Sequence, residues 1–441
     1  MRGHSSSLSL AGAVLVSFAV AQFAPGAEGE ERPTLRELLD KLPFGLHGFV
    51  ETRVGTRVQS DRYISETASM GEARLQLEAS KTFEIGDYRP ELRVKADLYY
   101  DAIEKKAIAD LREANVVFSP FEFLDLKLGR QTLTWGTGDL LFINDLFPKD
   151  WQAFLIGRDV EYLKAPSDAV KVGLFSELAN LNVVFTPRFD ADRFICGERI
   201  SYWSPLLGRQ AGRDAVVQTD QPNEWFRDHE WAARLSRNLG GYELAAYGYW
   251  GHWKSPAGMD IRTRRATFPR LSVYGGSVRG QVGRGIGNLE AGYYDSREDR
   301  GGDDPFVANS QLRILAGYEQ DLPQLAKDLT VGAQYYVEWM MDYDPYVRTL
   351  PRGTPRADED RHVLTFRVTK LLLNQNLSLS LFAYYSPTDS DAYLRPHVKY
   401  KLDDHWSVEV GGNVFFGQRD YTFFGQFEKN TNVYAAVRYG F

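Results

Sequence analysis

Polar and apolar residues alternate with a period of two along most of this chain. Glu72-Ala73-Arg74-Leu75-Gln76-Leu77-Glu78-Ala79 alternates without a break, and so does Glu91-Leu92-Arg93-Val94-Lys95-Ala96-Asp97-Leu98. Such a pattern sets every apolar side chain on one face of a β-strand. The runs extend over about 9–13 residues, well beyond the usual strand of about 5–6. They match the roughly 9–11 residues that a tilted strand needs to cross a bilayer. Segments of this kind fall near 46–58, 69–82, 90–100, 108–118, 122–134, 169–176, 181–187, 229–236, 242–251, 270–282, 288–297, 309–320, 329–340, 362–370, 376–386, 393–402, 406–417 and 430–441. The connections alternate too. Short ones fall at Ile85-Gly86-Asp87, Ser119-Pro120, Asn238-Leu239-Gly240 and Asp403-Asp404, and long ones at 135–168, 188–228, 252–269 and 341–361. Short turns on one side and long loops on the other are the layout of an outer-membrane barrel. The pattern predicts an all-β chain forming a single transmembrane antiparallel barrel. It has about 18 strands, with 16 as the alternative because the sixth and seventh are short. Both termini then lie at the short-turn, periplasmic side.

The two ends of the chain carry their own signals. Arg2 precedes an apolar run from Leu8 to Phe18, and Ala19-Val20-Ala21 offers a small-residue cleavage site. That three-part layout predicts a signal peptide over 1–21. Residues 22–44 are expected to form a periplasmic segment with a short helix, because Leu35, Leu38, Leu39 and Leu42 follow helical spacing after Pro33. Residues 45–441 are the expected barrel. At the far end Val433, Ala435, Val437, Tyr439 and Phe441 alternate and the last residue is aromatic. This resembles the terminal signal that outer-membrane barrels present to the insertion machinery. Phe118, Tyr318, Trp339, Tyr385, Trp406 and Phe416 end apolar faces and are expected to form interfacial girdles.

Composition narrows the function classes. A single cysteine, Cys196, excludes a disulfide scaffold, a cysteine zinc site and an iron–sulfur cluster. A net charge of −7 argues against a nucleic-acid partner. The seven histidines show no H-E-x-x-H pattern. Gly275-Gly276-Ser277-Val278-Arg279 fails the nucleophile-elbow pattern at its last position, and the glycine-rich 283–287 stretch sits at a short turn. The acidic tip Asp299 to Asp304 reads first as a solvated loop, with divalent-ion bridging as the alternative. No catalytic residue, metal site or cofactor is therefore assigned, and the chain is not expected to be an enzyme.

With the apolar set on lipid, the alternate set faces the lumen. Its pore-lining candidates are Arg53, Arg74, Arg93, Lys95, Asp97, Lys127, Arg234, Arg279, Arg313, Glu338, Arg367, Arg395 and Arg438. Further acids on that face include Glu51, Glu72, Glu290 and Glu409, so the signs are mixed. Buried charges must be wet or paired. About eighteen strands enclose a lumen wide enough for water, so the wall reads as an aqueous channel or a lattice of ion pairs. The 135–168 connection holds apolar runs at Leu140 to Ile143 and Phe154 to Ile156 that a solvent-displayed loop seldom carries. It is expected to fold inward, with Asp139, Asp145, Lys149, Asp150, Arg158 and Asp159 near a constriction. The alternative is a loop packed over the rim.

One stretch carries a family likeness. Leu111-Arg112-Glu113-Ala114, then Leu128-Gly129-Arg130-Gln131, Trp135-Gly136, Asn144-Asp145 and Pro148, resembles porin-like outer-membrane proteins that include the alginate-export family of eighteen-stranded barrels. The likeness covers about forty residues. It implies passive passage of a hydrophilic solute or polysaccharide through the outer membrane of a Gram-negative bacterium. Alginate would call for a mainly basic lumen, whereas bases and acids are nearly balanced here, so the likeness brings the barrel and the porin role and no substrate. Two other functional classes stand beside it. One is an outer-membrane enzyme of the lipase or protease barrel type, which needs a Ser or Asp with a His on adjacent strands near the outer rim that this sequence does not assemble. The other is a structural or conduit barrel whose lumen a periplasmic partner occupies. The expected partners are outer-membrane lipid and lipopolysaccharide, the insertion machinery through Phe441, and a hydrophilic solute.

Overall fold

The structure is a computed structural model that describes residues 42–441. The expected signal peptide and all but the last residue of the expected helix lie outside the described residues. Eighteen antiparallel strands form one sheet. In chain order they are β1 Gly45–Arg57, β2 Ala68–Thr82, β3 Glu91–Asp101, β4 Lys106–Phe121, β5 Leu124–Thr132, β6 Pro166–Leu174, β7 Asn180–Thr186, β8 Glu230–Leu239 and β9 Tyr242–His252. They continue as β10 Arg270–Val282, β11 Gly285–Ser296, β12 Gln311–Asp321, β13 Leu329–Met340, β14 Asp360–Leu372, β15 Leu377–Ser386, β16 Asp391–Lys401, β17 Trp406–Gly417 and β18 Asn432–Gly440. Each strand pairs with its neighbour in sequence, and β18 pairs back onto β1 from Phe49↔Gly440 to Arg57↔Asn432. The sheet therefore closes with no free edge, which satisfies the backbone groups of every strand from within the wall.

Turn chemistry sets one rim. Gly240-Gly241 joins β8 to β9 with φ of +58° and +85°. Positive φ at both central residues matches the right-handed twist of the flanking strands, and glycine adopts it without steric cost. The opposite rim carries the long connections 133–165, 187–229, 253–269, 297–310 and 341–359.

The alternation has the physical outcome that the strand pattern requires. On β1, Val54 is 55% exposed on the outer face while Arg53 is 1% exposed within. Exposed Leu98, Leu235, Val278, Leu289, Ile314, Leu364 and Val410 extend the apolar outer surface around the wall. A continuous apolar surface of this size belongs against a nonaqueous phase. Rings stand at both edges of the belt. Trp339, Tyr385 and Phe416 are exposed towards the long-loop rim, and Tyr318 and Trp406 towards the other. Phe118 is half-buried because Tyr88 packs edge-on against it, with ring centres 5.4 Å apart. Among the described residues no helix is long and apolar enough to span a membrane.

The interior departs from a uniformly polar wall. In the long-loop half, Leu271, Tyr294, Leu315, Tyr336, Phe382, Tyr384, Tyr393 and Phe415 point inward and are buried. They pack with Ile143, Phe147, Phe154, Leu155 and Ile156 of the 133–165 connection. An inward-folded loop needs apolar partners, so the wall is apolar on both faces at this depth.

Candidate functional site: the barrel interior and its inward loop

The loop after β5 enters the barrel in two lobes. The first, 135–145, lies against β11 to β15. Glu290 of β11 is buried and holds this lobe through one carboxylate. One oxygen accepts from the backbone N–H of Thr137 at 2.7 Å, the Thr137 hydroxyl at 2.9 Å and the Gly138 N–H at 3.2 Å. The other accepts from the Asn144 N–H at 2.9 Å and its side-chain amide at 3.0 Å. Gln334 of β13 accepts from the Asp139 N–H at 2.7 Å and donates to its carbonyl at 2.9 Å. The Asp139 carboxylate takes a two-point contact from Arg367 of β14, one arm at 2.7 Å. The Tyr384 hydroxyl donates to the Leu140 carbonyl at 2.8 Å, and Tyr294 donates to that of Ile143.

The second lobe, 150–164, lies against β16 to β18 and β1 to β4. It begins with the short helix α1, Trp151–Ile156, whose first turn is closed by the Asp150 carboxylate accepting from the Ala153 N–H at 2.7 Å. The helix stops at Gly157, which has φ of +96°. A Cβ there would sit 2.3 Å from the Tyr434 ring, so both backbone shape and space demand glycine. The freed Gly157 carbonyl accepts from Arg53 at 2.9 Å. Arg158 then grips Glu72 of β2 at 2.7 and 3.0 Å, and Asp159 lies 3.5 Å from Arg438 of β18. Arg112 of β4 donates to the carbonyls of Glu161 and Lys164 at 3.2 and 2.8 Å.

Between the lobes the Lys149 ammonium is buried, bound to the Asp145 carboxylate at 2.9 Å and the Phe147 carbonyl at 2.7 Å. The 187–229 loop adds a second strap. Its Arg199 pairs with Asp101 and donates to the Ser69 carbonyl at 3.1 Å, and its Arg193 binds Asp110 at 2.8 Å and Asp150 at 3.3 Å. Burial pulls the Arg193 guanidinium down, but Asp110 and Asp150 outweigh it and hold the group above its ordinary value. Burial pushes the nearby Asp192 carboxyl up, against hydrogen bonds from Ser255, the Lys149 N–H and Trp151.

All thirteen wall candidates sit on the inward face. Arg53, Arg74, Asp97 and Arg395 are buried, and Arg93 and Arg279 are exposed, with the others half-buried between them. The structure gathers most of them into ion pairs. Arg53 bridges Glu51 at 3.1 Å and Glu409 at 2.7 Å, and Arg438 meets the same Glu51 at 2.8 Å. Arg74 joins Glu72 at 3.0 Å to Asp97 at 2.9 Å. Arg93 binds Glu91 at 2.8 Å, Arg234 binds Glu243 at 2.6 Å and Arg313 binds Glu338 at 3.2 Å. Lys95 and Lys127 make looser pairs, with Glu78 at 3.8 Å and Glu113 at 3.7 Å. Arg279 and Arg395 have no acidic partner among the described residues, and Arg395 lies instead over the Phe154 ring at 4.0 Å. The six loop residues Asp139, Asp145, Lys149, Asp150, Arg158 and Asp159 each touch the wall, the second strap or one another.

Other residues of the site escape the charge pattern. Gln334, Asn144 and Tyr384 anchor the first lobe: Gln334 brackets the Asp139 backbone, Tyr384 reaches the Leu140 carbonyl, and the Asn144 amide donates to Glu290 and to the Ala291 carbonyl. Cys196 is a half-buried free thiol, 3.8 Å from the Gln152 amide. In the acidic tip, Asp299 accepts from the backbone N–H groups of Asp303 and Asp304, each at 3.1 Å, and so closes its own loop.

A closed eighteen-stranded barrel with an apolar outer belt, a charged inner wall and a long loop folded inside defines the outer-membrane porin fold. No family model and no curated protein matches the sequence. Solved structures match it in fold. OccD3 (OpdP) of Pseudomonas aeruginosa superimposes with a TM-score of 0.54 at 10% identity, over 90% of this chain and 91% of that one. OccAB3 of Acinetobacter baumannii gives 0.52 at 10% identity, over 90% and 98%. OccK11 (OpdR) of Pseudomonas aeruginosa gives 0.51 at 10% identity, over 90% and 95%. At this identity the likeness is one of fold.

Proposed function

We propose that this chain is an outer-membrane porin of a Gram-negative bacterium, passing a hydrophilic solute through a lumen that the 133–165 loop narrows. The observation that carries the reading is the closed barrel itself, apolar outside and lined inside by charged residues that meet an inward loop. In this reading residues 1–21 are a signal peptide and 22–44 a periplasmic segment. The short turns face the periplasm, the long loops face outward, and the strand ending in Phe441 is what the insertion machinery reads. The thirteen wall residues line the pathway, and Asp139, Asp145, Lys149, Asp150, Arg158 and Asp159 surround its narrowest part. Most wall charges are compensated within the wall. That favours a small hydrophilic solute over an anionic polymer such as alginate.

The test is single-channel recording of the purified protein in a planar bilayer. Steady openings with a fixed conductance are expected. A barrel that is heat-modifiable yet electrically silent would overturn the open-pore reading in favour of a conduit filled by a partner.

A further inference from the structure

A cavity of about 840 Å³ opens above the inward loop, on the long-loop side. Its floor is the 140–155 stretch, its wall comes from β10 to β15, and loops 354–359 and 419–427 overhang it. The volume falls within the range of about 300–1,000 Å³ typical of small-molecule sites.

Two features of its lining bear on what it would hold. The first is the aromatic content: fourteen aromatic side chains border the cavity. Several are not packed away. Phe142, Trp151, Phe194, Trp203 and Tyr421 keep part of their surface open, and Phe423 is 49% exposed. Trp203 and Tyr421 stand edge to face, 5.7 Å between ring centres, so they form a corner with ring surface on two sides. The second is the charge. The lining holds six basic and six acidic side chains, and several already satisfy one another. Arg313 binds Glu338 at 3.2 Å, Arg361 binds Asp389 at 2.5 Å and Lys149 binds Asp145 at 2.9 Å. One buried nitrogen of Arg361, Nη2, has no hydrogen-bond partner.

A compensated wall offers no net attraction to an anion or a cation. It offers planar donors and acceptors held in fixed positions beside apolar ring faces. A solute that matches both is uncharged, carries hydroxyls around its rim, and presents C–H bonds on its faces. From this we infer that the cavity is a binding site for a neutral sugar, a hexose or a short oligosaccharide, stacked on the Trp203–Tyr421 corner and Phe423 and hydrogen-bonded by the Arg313–Glu338 and Arg361–Asp389 pairs. This deepens the porin reading and rests on it for the route of entry.

The experiment uses the whole protein and two readouts, with maltotriose as the probe. In a planar bilayer, millimolar maltotriose is expected to interrupt the current reversibly. In a non-glycosidic detergent, calorimetric titration is expected to show saturable binding. The Trp203→Ala/Phe423→Ala double variant should weaken both by at least tenfold, whereas Trp203→Phe, which keeps a ring, should stay within threefold of the parent. A heat-modifiability check on the double variant establishes that its barrel is intact. Open channels with neither block nor binding would overturn the sugar site and leave the pore standing. Saturable binding by an electrically silent barrel would overturn the pore and keep the site. Glucuronate binding tenfold tighter than maltotriose would overturn the claim that the site prefers a neutral solute.

Discussion

The two lobes of the inward loop are held by the same kinds of contact in different proportion. In the first, most contacts run from wall side chains to loop backbone: Glu290 takes the N–H groups of Thr137, Gly138 and Asn144, and Gln334 brackets Asp139 from both sides, with Asp139 on Arg367 as the one ion pair. In the second, the loop brings its own charges, with Arg158 on Glu72 and Asp159 near Arg438. Backbone donors fix a path regardless of which side chains the loop displays. Side-chain ion pairs fix it only while both partners remain. The first lobe therefore depends mainly on Glu290 and Gln334 of the wall, supplemented by Asp139 on Arg367, and the second depends on charges from both the loop and the wall.

The largest effect is expected from removing the segment that the two lobes share. Deleting 138–158 should raise single-channel conductance severalfold, and an unchanged conductance would show that the loop does not narrow the lumen. Next come single substitutions that separate the lobes. Arg158→Ala leaves buried Glu72 short of one cation, a loss of about 3 kcal/mol when a buried pair is broken, although Arg74 and Arg199 still neighbour it. Glu290→Gln removes one of the two acceptor oxygens and the charge from three backbone donors, costing about 1–3 kcal/mol. Hydrogen exchange is the measurement that reads them apart. Arg158→Ala should speed exchange across 157–164 and spare 137–144, and Glu290→Gln should do the reverse. Equal loosening of both segments by either change would show that the loop moves as one body. The smallest effect belongs to the wall. Arg279 is exposed and has no acidic partner among the described residues, so Arg279→Ser should move the reversal potential a few millivolts towards cation preference. Arg93→Ser should move it less, because Glu91 already compensates Arg93. A larger shift from Arg93 would invert this ordering.

The strands were legible in the sequence because a wall between lipid and water forces alternation, and Val54 beside Arg53 shows the rule at single-residue resolution. Arg158 and Asp159 were legible as loop charges among apolar runs, and the structure gives each a partner. Asp139 and Arg367 were legible as charges too, but the rest of the first lobe's anchoring was not, because a backbone N–H leaves no mark on the residue that carries it. Glu290 stood out only as one more inward acid. The inward tyrosines were hidden for a different reason. Tyr336 and Tyr335 are adjacent on β13, one buried within and one 44% exposed outside, and a strand apolar on both faces loses its period-two signature. The cavity above the loop draws on segments from Leu140 to Phe427, far apart in the chain.

The seam between β1 and β18 joins the first strand of the wall to the last. It is the longest-range pairing in the barrel, and the entropy of closing so large a loop makes such contacts slow to form. Until it forms, both outer strands present a full row of unpaired N–H and C=O groups, the surface that recruits other chains into aggregates. The closed barrel is thus inert only once its final strand is in place. Every partly assembled form is sticky, and the hazard in the life of this protein falls in the interval between synthesis and closure.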